Sequence, residues 1–188
     1  PFFRLSSWVF VFLVPAITMR SISEEKKSGM LALLFTKPVS TLQMVLGKYL
    51  GILFLLFVIL LPSALYVYMV WGLGNPVGNL DIAGTVGSYI ALFLLVASFA
   101  SVGLWASSIS SNQIISFVLA AFLCFFFFFG IDQLIAFIAP EDFGGVGFQT
   151  HFDAISRGVL DTRNIVYFLS VISFFIYLTT LSLKAYKR

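Results

Sequence analysis

Charged residues are scarce in this sequence. Only 10% of the 188 residues are Asp, Glu, Lys or Arg, whereas 60% are hydrophobic and the mean hydropathy is +1.05. Soluble domains carry about 25% charged residues, and a water-soluble core cannot absorb this much apolar surface. The composition therefore predicts that a lipid bilayer is the solvent of this chain.

Cysteine and histidine are almost absent. Cys124 is the only cysteine and lies in an apolar run, which excludes a disulfide framework. His151 is the only histidine, and although Asp153 is close in sequence, no second ligand of the right kind is near, so we expect no metal site. No basic stripe with interleaved aromatic residues is present, which speaks against nucleic-acid binding.

Signatures of catalysis are also missing. The sequence has no G-x-x-x-x-G-K-[ST] phosphate loop, no H-E-x-x-H and no paired carboxylates within its apolar segments. An intramembrane enzyme is therefore the disfavoured alternative, and we expect neither an ATPase site nor a bound cofactor in this chain.

Three long stretches have no charge at all, namely 49–80, 82–131 and 164–183. A membrane span needs about 20 apolar residues at a rise of about 1.5 Å each, so the second stretch is too long for one helix. The polar run SSISSNQ at 107–113 is the expected turn. We predict a single all-α transmembrane domain over 1–188, with spans at about 2–20, 44–71, 84–106, 114–131 and 164–183.

Basic residues are distributed unevenly across these spans. Eight lie on the side that follows the first span and only three on the other side, which predicts that the first side, with the C-terminus, is cytoplasmic. A cleaved signal peptide ending near Ala16 would place the eight basic residues outside, so we disfavour it.

The segment 132–160 is expected on the external side, before the last span. A helix in this segment would place four apolar residues on one face: Phe148, Phe152, Ile155 and Val159. An amphipathic helix on the outer surface and a partly re-entrant hairpin both fit this pattern, and a surface helix without a role in gating is the plainer alternative.

Small residues recur at a spacing of four in and just beyond the third span. This spacing places small side chains on one helix face and predicts close helix packing. The residues are Gly84, Ser88, Ala97, Ser101, Gly103 and Ser107.

The stretch RSISEEKKSGMLALLFTKP separates the first two spans and carries most of the charge of that region. We predict a short helix over about 24–36, with Ser21 and Glu24 at capping-box spacing, a break at Gly29 and an end at Pro38; a shorter helix capped by Ser23 or Ser28 is the equal alternative. Glu24 and Glu25 either pair with basic groups of a partner or remain solvated. The dense apolar side chains need burial, either in lipid headgroups or in a groove on another protein: Leu31, Leu33, Leu34 and Phe35.

These residues carry a family resemblance. The run R-x-x-x-E-E-K-x-x-G, the apolar helix, the proline and the following G-K pair resemble ABC-2-type transporter permeases, and in particular the gliding-motility-associated, GldF-like branch. The matching positions are Arg20, Glu24, Glu25, Lys26, Gly29, Pro38, Gly47 and Lys48. The segment HFDAISRGVLDTRNIVYF also resembles the external helix of that family.

The resemblance implies a bacterial inner-membrane permease of the type V exporter kind, with six spans of which the first is missing here. It implies that the opening stretch is a coupling helix that docks on a separate ABC ATPase subunit, which would hold ATP and Mg²⁺. It also implies a second permease chain, in a homo- or heterodimer. The alternative function is a non-transporting anchor that transmits force in a cell-envelope complex for gliding motility.

Overall fold

A computed structural model describes residues 2–36, 38–73, 81–138, 146–158 and 161–187. In these ranges all regular secondary structure is helical. Nine α-helices follow one another, with one π-helical turn, Phe126–Gly130, between α6 and α7: α1 Phe2–Thr18, α2 Arg20–Lys27, α3 Met30–Leu34, α4 Thr41–Leu73, α5 Ile82–Ile109, α6 Gln113–Phe125, α7 Ile131–Ile138, α8 Phe148–Ser156 and α9 Thr162–Lys187.

Five helical segments of the described residues are long and apolar enough to cross a membrane. They are Phe2–Lys27, Thr41–Leu73, Ile82–Ile109, Gln113–Ile138 and Thr162–Tyr186. The predicted all-α fold with five visible spans is confirmed.

Helix α5 is the centre of the bundle. It contacts α1, α2, α4, α6, α8 and α9, and 78% of its most apolar window is buried, against at most 33% for any other span. Its sequence explains this position, because small residues such as Ala97, Ser101 and Gly103 allow neighbouring helices to approach closely.

The helices connect two ends of the bundle. The α2 end, as we name it, holds α2, α3, the start of α4 and the end of α5, because Lys48 reaches α2 and Ser107 reaches the junction of α1 and α2. The α8 end holds the start of α1 and of α5, because Arg4 pairs with Asp153 and Ser88 contacts Ser156.

The fourth span is longer than predicted. Instead of ending at 131, the helix continues through the π-helical turn into α7 and ends at Ile138. Asp132 therefore lies within a helix and not at its end. Its carboxylate is satisfied locally, since Oδ1 accepts from the backbone N–H of Gly147 at 2.7 Å and Oδ2 accepts from the hydroxyl of Thr150 at 3.0 Å.

Helix α8 packs along α5 with its apolar face inward. Phe148, Phe152 and Ile155 are buried, and the ring of Phe148 lies 5.8 Å from that of Phe99. Phe99 lies roughly 25 Å along α5 from Ile82, at about 1.5 Å per residue. The apolar face of α8 thus contacts the bundle interior along about half of α5; Val159 lies outside the described residues.

Glycine makes this packing possible. A Cβ at Gly87 would lie 2.7 Å from the carbonyl oxygen of Ile155 and 3.1 Å from the Cα of Gly158. Gly158 itself has φ +83° and abuts Ala83 of α5. The end of α8 can therefore approach the start of α5 only because side chains are absent at these positions.

Candidate functional site

The charged stretch at the α2 end forms two helices and not one. The helix predicted over about 24–36 with a break at Gly29 was placed too late at its start: α2 begins at Arg20 and ends at Lys27, and α3 begins at Met30. Gly29 separates them with φ +73°, in the left-handed region that non-glycine residues rarely adopt. The backbone therefore changes direction where the sequence indicated a break.

The junction of α1 and α2 is held by a residue from another helix. Backbone N–H groups of Ile22 and Ser23 each donate to Ser107 Oγ at 3.0 Å, and that hydroxyl donates to the carbonyl oxygen of Met19, also at 3.0 Å. Met19 occupies the N-cap position of α2 and makes no side-chain cap, so the expected capping box of Ser21 and Glu24 is wrong. The hydroxyl that satisfies the first N–H groups of α2 comes from α5.

Gly103 lies one turn before Ser107 on α5. A Cβ on Gly103 would overlap the side chain of Thr18, the last residue of α1. Two of the predicted packing residues therefore hold the junction of α1 and α2: Gly103 abuts Thr18, and Ser107 contacts Met19, Ile22 and Ser23. The predicted packing face of α5 thus reaches the helix that leads into the predicted docking residues.

Lys48 connects α2 to α4. Its ammonium group lies 2.5 Å from Glu25 Oε1 and donates to the carbonyl oxygen of Ser21 at 2.8 Å. Both side chains are largely buried, with 18% and 22% of their surfaces exposed, and Glu25 Oε2 has no hydrogen-bond partner among the described residues. Glu25 is thus engaged within the chain, whereas Glu24 is exposed.

The other end of α2 is held as well. Lys26 Nζ donates to the carbonyl oxygen of Ser108, and it lies 5.0 Å from the centroid of the Tyr186 ring. The hydroxyl of Ser182 donates to the same Ser108 oxygen at 3.3 Å. Helix α2 is therefore fixed to α4, α5 and α9 by polar contacts along its length.

Helix α3 divides the predicted docking residues into two groups. Leu31 is completely buried within the chain, so its assignment to an exposed docking surface is wrong; Leu34 and Phe35 are half-buried, and Phe35 packs against the core. Leu33 is 68% exposed and Met30 is 53% exposed. We call Met30 and Leu33 the apolar patch; Glu24, Gly29 and Pro38 are exposed around it.

Residues that follow the patch were missed by sequence reasoning. Ser40 and Gln43 form a reciprocal capping box at the start of α4: the Gln43 N–H donates to Ser40 Oγ at 3.2 Å, and the Ser40 N–H donates to Gln43 Oε1 at 3.0 Å. The S-x-x-Q spacing was a readable signal for this cap. Pairing of Lys48 with Glu25 had no such signal, because the two are far apart in sequence.

The remaining packing residues lie along α5 between the two ends. Ser88 Oγ donates to the carbonyl oxygen of Gly84 at 2.7 Å and contacts that of Ser156 at 3.3 Å. The carbonyl oxygen of Ala97 accepts from the Tyr49 hydroxyl at 3.1 Å, and Ser101 Oγ donates within α5 to Ser98 at 2.7 Å.

The α2 end combines exposed apolar side chains with anchored ones. It presents two exposed apolar side chains on a short helix that is anchored from below by Leu31 and by the polar contacts of α2. Within the described ranges, no group of three or more His, Cys, Asp or Glu residues is close enough to hold a metal ion.

Comparison with known proteins identifies the family. The family described as ABC-2 family transporter protein matches residues 5–187, which is nearly the whole chain. No curated protein matches the chain in a sequence comparison. Members of this family are multi-pass membrane subunits whose ATPase activity resides in a separate ABC subunit. The match covers all five candidate spans and the charged stretch between the first two, and the chain belongs to the ABC-2 family of transporter permeases.

Proposed function

We propose that this chain is the permease subunit of an ABC exporter and that the apolar patch of α3 docks on the ATPase subunit. The observation that carries the proposal is the pairing of an exposed apolar surface with a rigid base. Met30 and Leu33 project from α3, while Leu31 on the same helix is buried and α2 is tied to three other helices.

Burial against a protein explains this arrangement better than insertion into lipid headgroups. A helix that merely lies in the interface needs a wide apolar face and no attachment to the bundle. Here the exposed apolar surface is short, and the base beneath it is held by an ion pair, by the Ser107 hydroxyl and by Lys26. Such a base suits the transmission of a displacement.

The distribution of charge supports a cytoplasmic position for the α2 end. Most basic residues, including Lys26, Lys27 and Lys48, lie there, and the C-terminal helix ends beside them, as the contact of Lys26 with Tyr186 shows. In this orientation the permease lies in the bacterial inner membrane with its C-terminus in the cytoplasm. The ATPase subunit would hold ATP and Mg²⁺, and a second permease chain would complete the transporter.

Force transmission without transport, as in a gliding-motility complex, would use the same docking surface. The family description names a transporter and so favours transport over force transmission alone. The docking proposal is common to both functions, so its test does not depend on the choice.

The docking surface is tested by co-purification with the ABC ATPase encoded beside the gene. Leu33→Asp or Met30→Asp is expected to abolish co-purification, because a charge on the patch would be desolvated in the cleft of the partner. Leu33→Met is the matched control, since it keeps the surface apolar, and it should retain the ATPase. Membrane insertion and thermal stability should be unchanged in all three variants. Full retention of the ATPase by Leu33→Asp would contradict the proposal.

A further inference from the structure

Ser107 differs from three other buried serines of α5. Ser98, Ser101 and Ser108 each donate to a carbonyl oxygen three or four residues earlier in their own helix. The contacts of Ser107 Oγ are instead to Met19, Ile22 and Ser23, which belong to the junction of α1 and α2. Its hydroxyl therefore acts between helices.

This hydroxyl stands where a continuous helix would make its own hydrogen bond. In an uninterrupted α-helix the N–H of Ile22 would donate to the carbonyl oxygen of Thr18, four residues earlier. It donates to Ser107 Oγ instead, and Met19, whose backbone is in the right-handed helical region, separates α1 from α2. Insertion of a side chain into the hydrogen-bond ladder is a known cause of helix bending.

A second contact supports the same attachment. Gly103, four residues before Ser107, leaves room for Thr18 against the α5 backbone. The last residue of α1 and the first turn of α2 are thus both held on one face of α5. Helix α5 is the most buried span of the described residues and also contacts α8 at the opposite end, so this attachment joins α2 to the centre of the bundle.

We propose that Ser107 is a positioning residue that sets the direction of α2 relative to α5 and couples movement of the docking surface to the central helix. This proposal rests on the proposed function, because it assigns the element through which ATPase docking acts. Without the hydroxyl, the Ile22 N–H can return to the carbonyl oxygen of Thr18, and the first turn of α2 loses this attachment to α5. A push on α3 would then reach α5 with one attachment fewer, that of Lys26 to the Ser108 carbonyl oxygen being kept, and would displace α5 less.

The test uses the full chain in complex with its ATPase in lipid nanodiscs. Spin labels on Ala32→Cys and Ile109→Cys report the distance between α3 and the end of α5; both positions are exposed, whereas the native Cys124 is buried. Ser107→Ala is expected to broaden or shift the distance distribution. Ser101→Ala, which removes only a hydrogen bond within α5, should leave it unchanged, and Ser107→Thr, which keeps the hydroxyl, should restore it.

ATP hydrolysis gives the second readout. In Ser107→Ala the kcat of the complex is expected to fall toward that of the isolated ATPase subunit, with KM for ATP and the affinity between subunits unchanged. An unaltered distance distribution, a wild-type kcat, or an equal effect of Ser101→Ala would each overturn the proposal. The proposal would also be overturned if the wild-type complex had the same kcat as the isolated ATPase subunit. An error in the docking proposal itself would show separately, because Leu33→Asp would then still co-purify with the ATPase.

Discussion

At the scale of single residues, the decisive interactions at the α2 end join side chains that are distant in sequence. Glu25 and Lys48 form a largely buried pair in which Glu25 Oε2 has no partner among the described residues. Removing one member of such a pair leaves an uncompensated charge, whereas removing both does not. The pair is therefore expected to specify geometry more than to add stability.

A double-mutant cycle tests this interpretation. Lys48→Met is expected to lower the free energy of unfolding by about 3 kcal/mol, because the Glu25 carboxylate remains buried without its partner. The double variant Lys48→Met with Glu25→Gln should recover most of that loss. Thermal unfolding in detergent measures the effect. The control is Lys27→Met, at an exposed position on α2, the helix that carries Glu25. A double variant as unstable as the sum of the single variants would contradict the interpretation.

Two glycines give predictions of opposite sign. Gly103→Ala places a methyl group onto Thr18 and should destabilise the protein by about 1–3 kcal/mol. Gly51, inside α4, has no atom within 4 Å of an added Cβ, so Gly51→Ala should stabilise by about 0.5–1 kcal/mol through helix propensity. Melting temperatures of the purified variants would show the difference, and a shift in the same direction for both would contradict the packing described here.

At the scale of elements, α8 shows how a helix outside the predicted spans becomes part of the core. Phe148 contacts the rings of Phe99, Phe127 and Phe168 at 5.8, 5.6 and 5.7 Å, so rings from three other segments surround it. The Asp132 carboxylate, which binds Gly147 and Thr150, fixes the start of the helix. Helix α8 is therefore held by ring contacts on its apolar face and by hydrogen bonds at its start.

The prediction for this element concerns the cavity that truncation would leave. Phe148→Ala is expected to destabilise by about 3 kcal/mol, because the buried ring is lost and its neighbours cannot fully close the space. Phe137 lies on α7 and is 88% exposed, so Phe137→Ala should have little effect. Equal melting temperatures for the two variants in detergent would show that α8 does not pack into the bundle as described.

At the scale of the whole molecule, alternating spans place the two ends on opposite sides of the membrane. A membrane-impermeant maleimide applied to intact spheroplasts should label Val146→Cys at the α8 end and not Ser28→Cys at the α2 end. Permeabilised cells should allow labelling of both. Native Cys124 is buried and serves as the unreactive background. Labelling of Ser28→Cys from outside would invert the orientation and remove the docking proposal.

Sequence reasoning predicted the features that depend on composition and local pattern. Charge-free stretches located the spans, the polar run at 107–113 located the turn between α5 and α6, and Gly29 located the break before α3. It was wrong about Leu31, whose burial depends on what lies beneath α3. It also ended the fourth span too early, because an acid such as Asp132 normally marks a helix end near water.

The amino-acid sequence by itself determined that this chain resides in a membrane as a helical bundle, since hydrophobicity and helix length are properties of local segments. Only the tertiary structure decided which residues meet at the α2 end. Ser107 and Gly103 reach the α1–α2 junction, and Lys48 reaches Glu25, because α5 and α4 pack there. Such contacts depend on the relative positions of whole helices, and neither periodicity nor spacing along one helix contains that information.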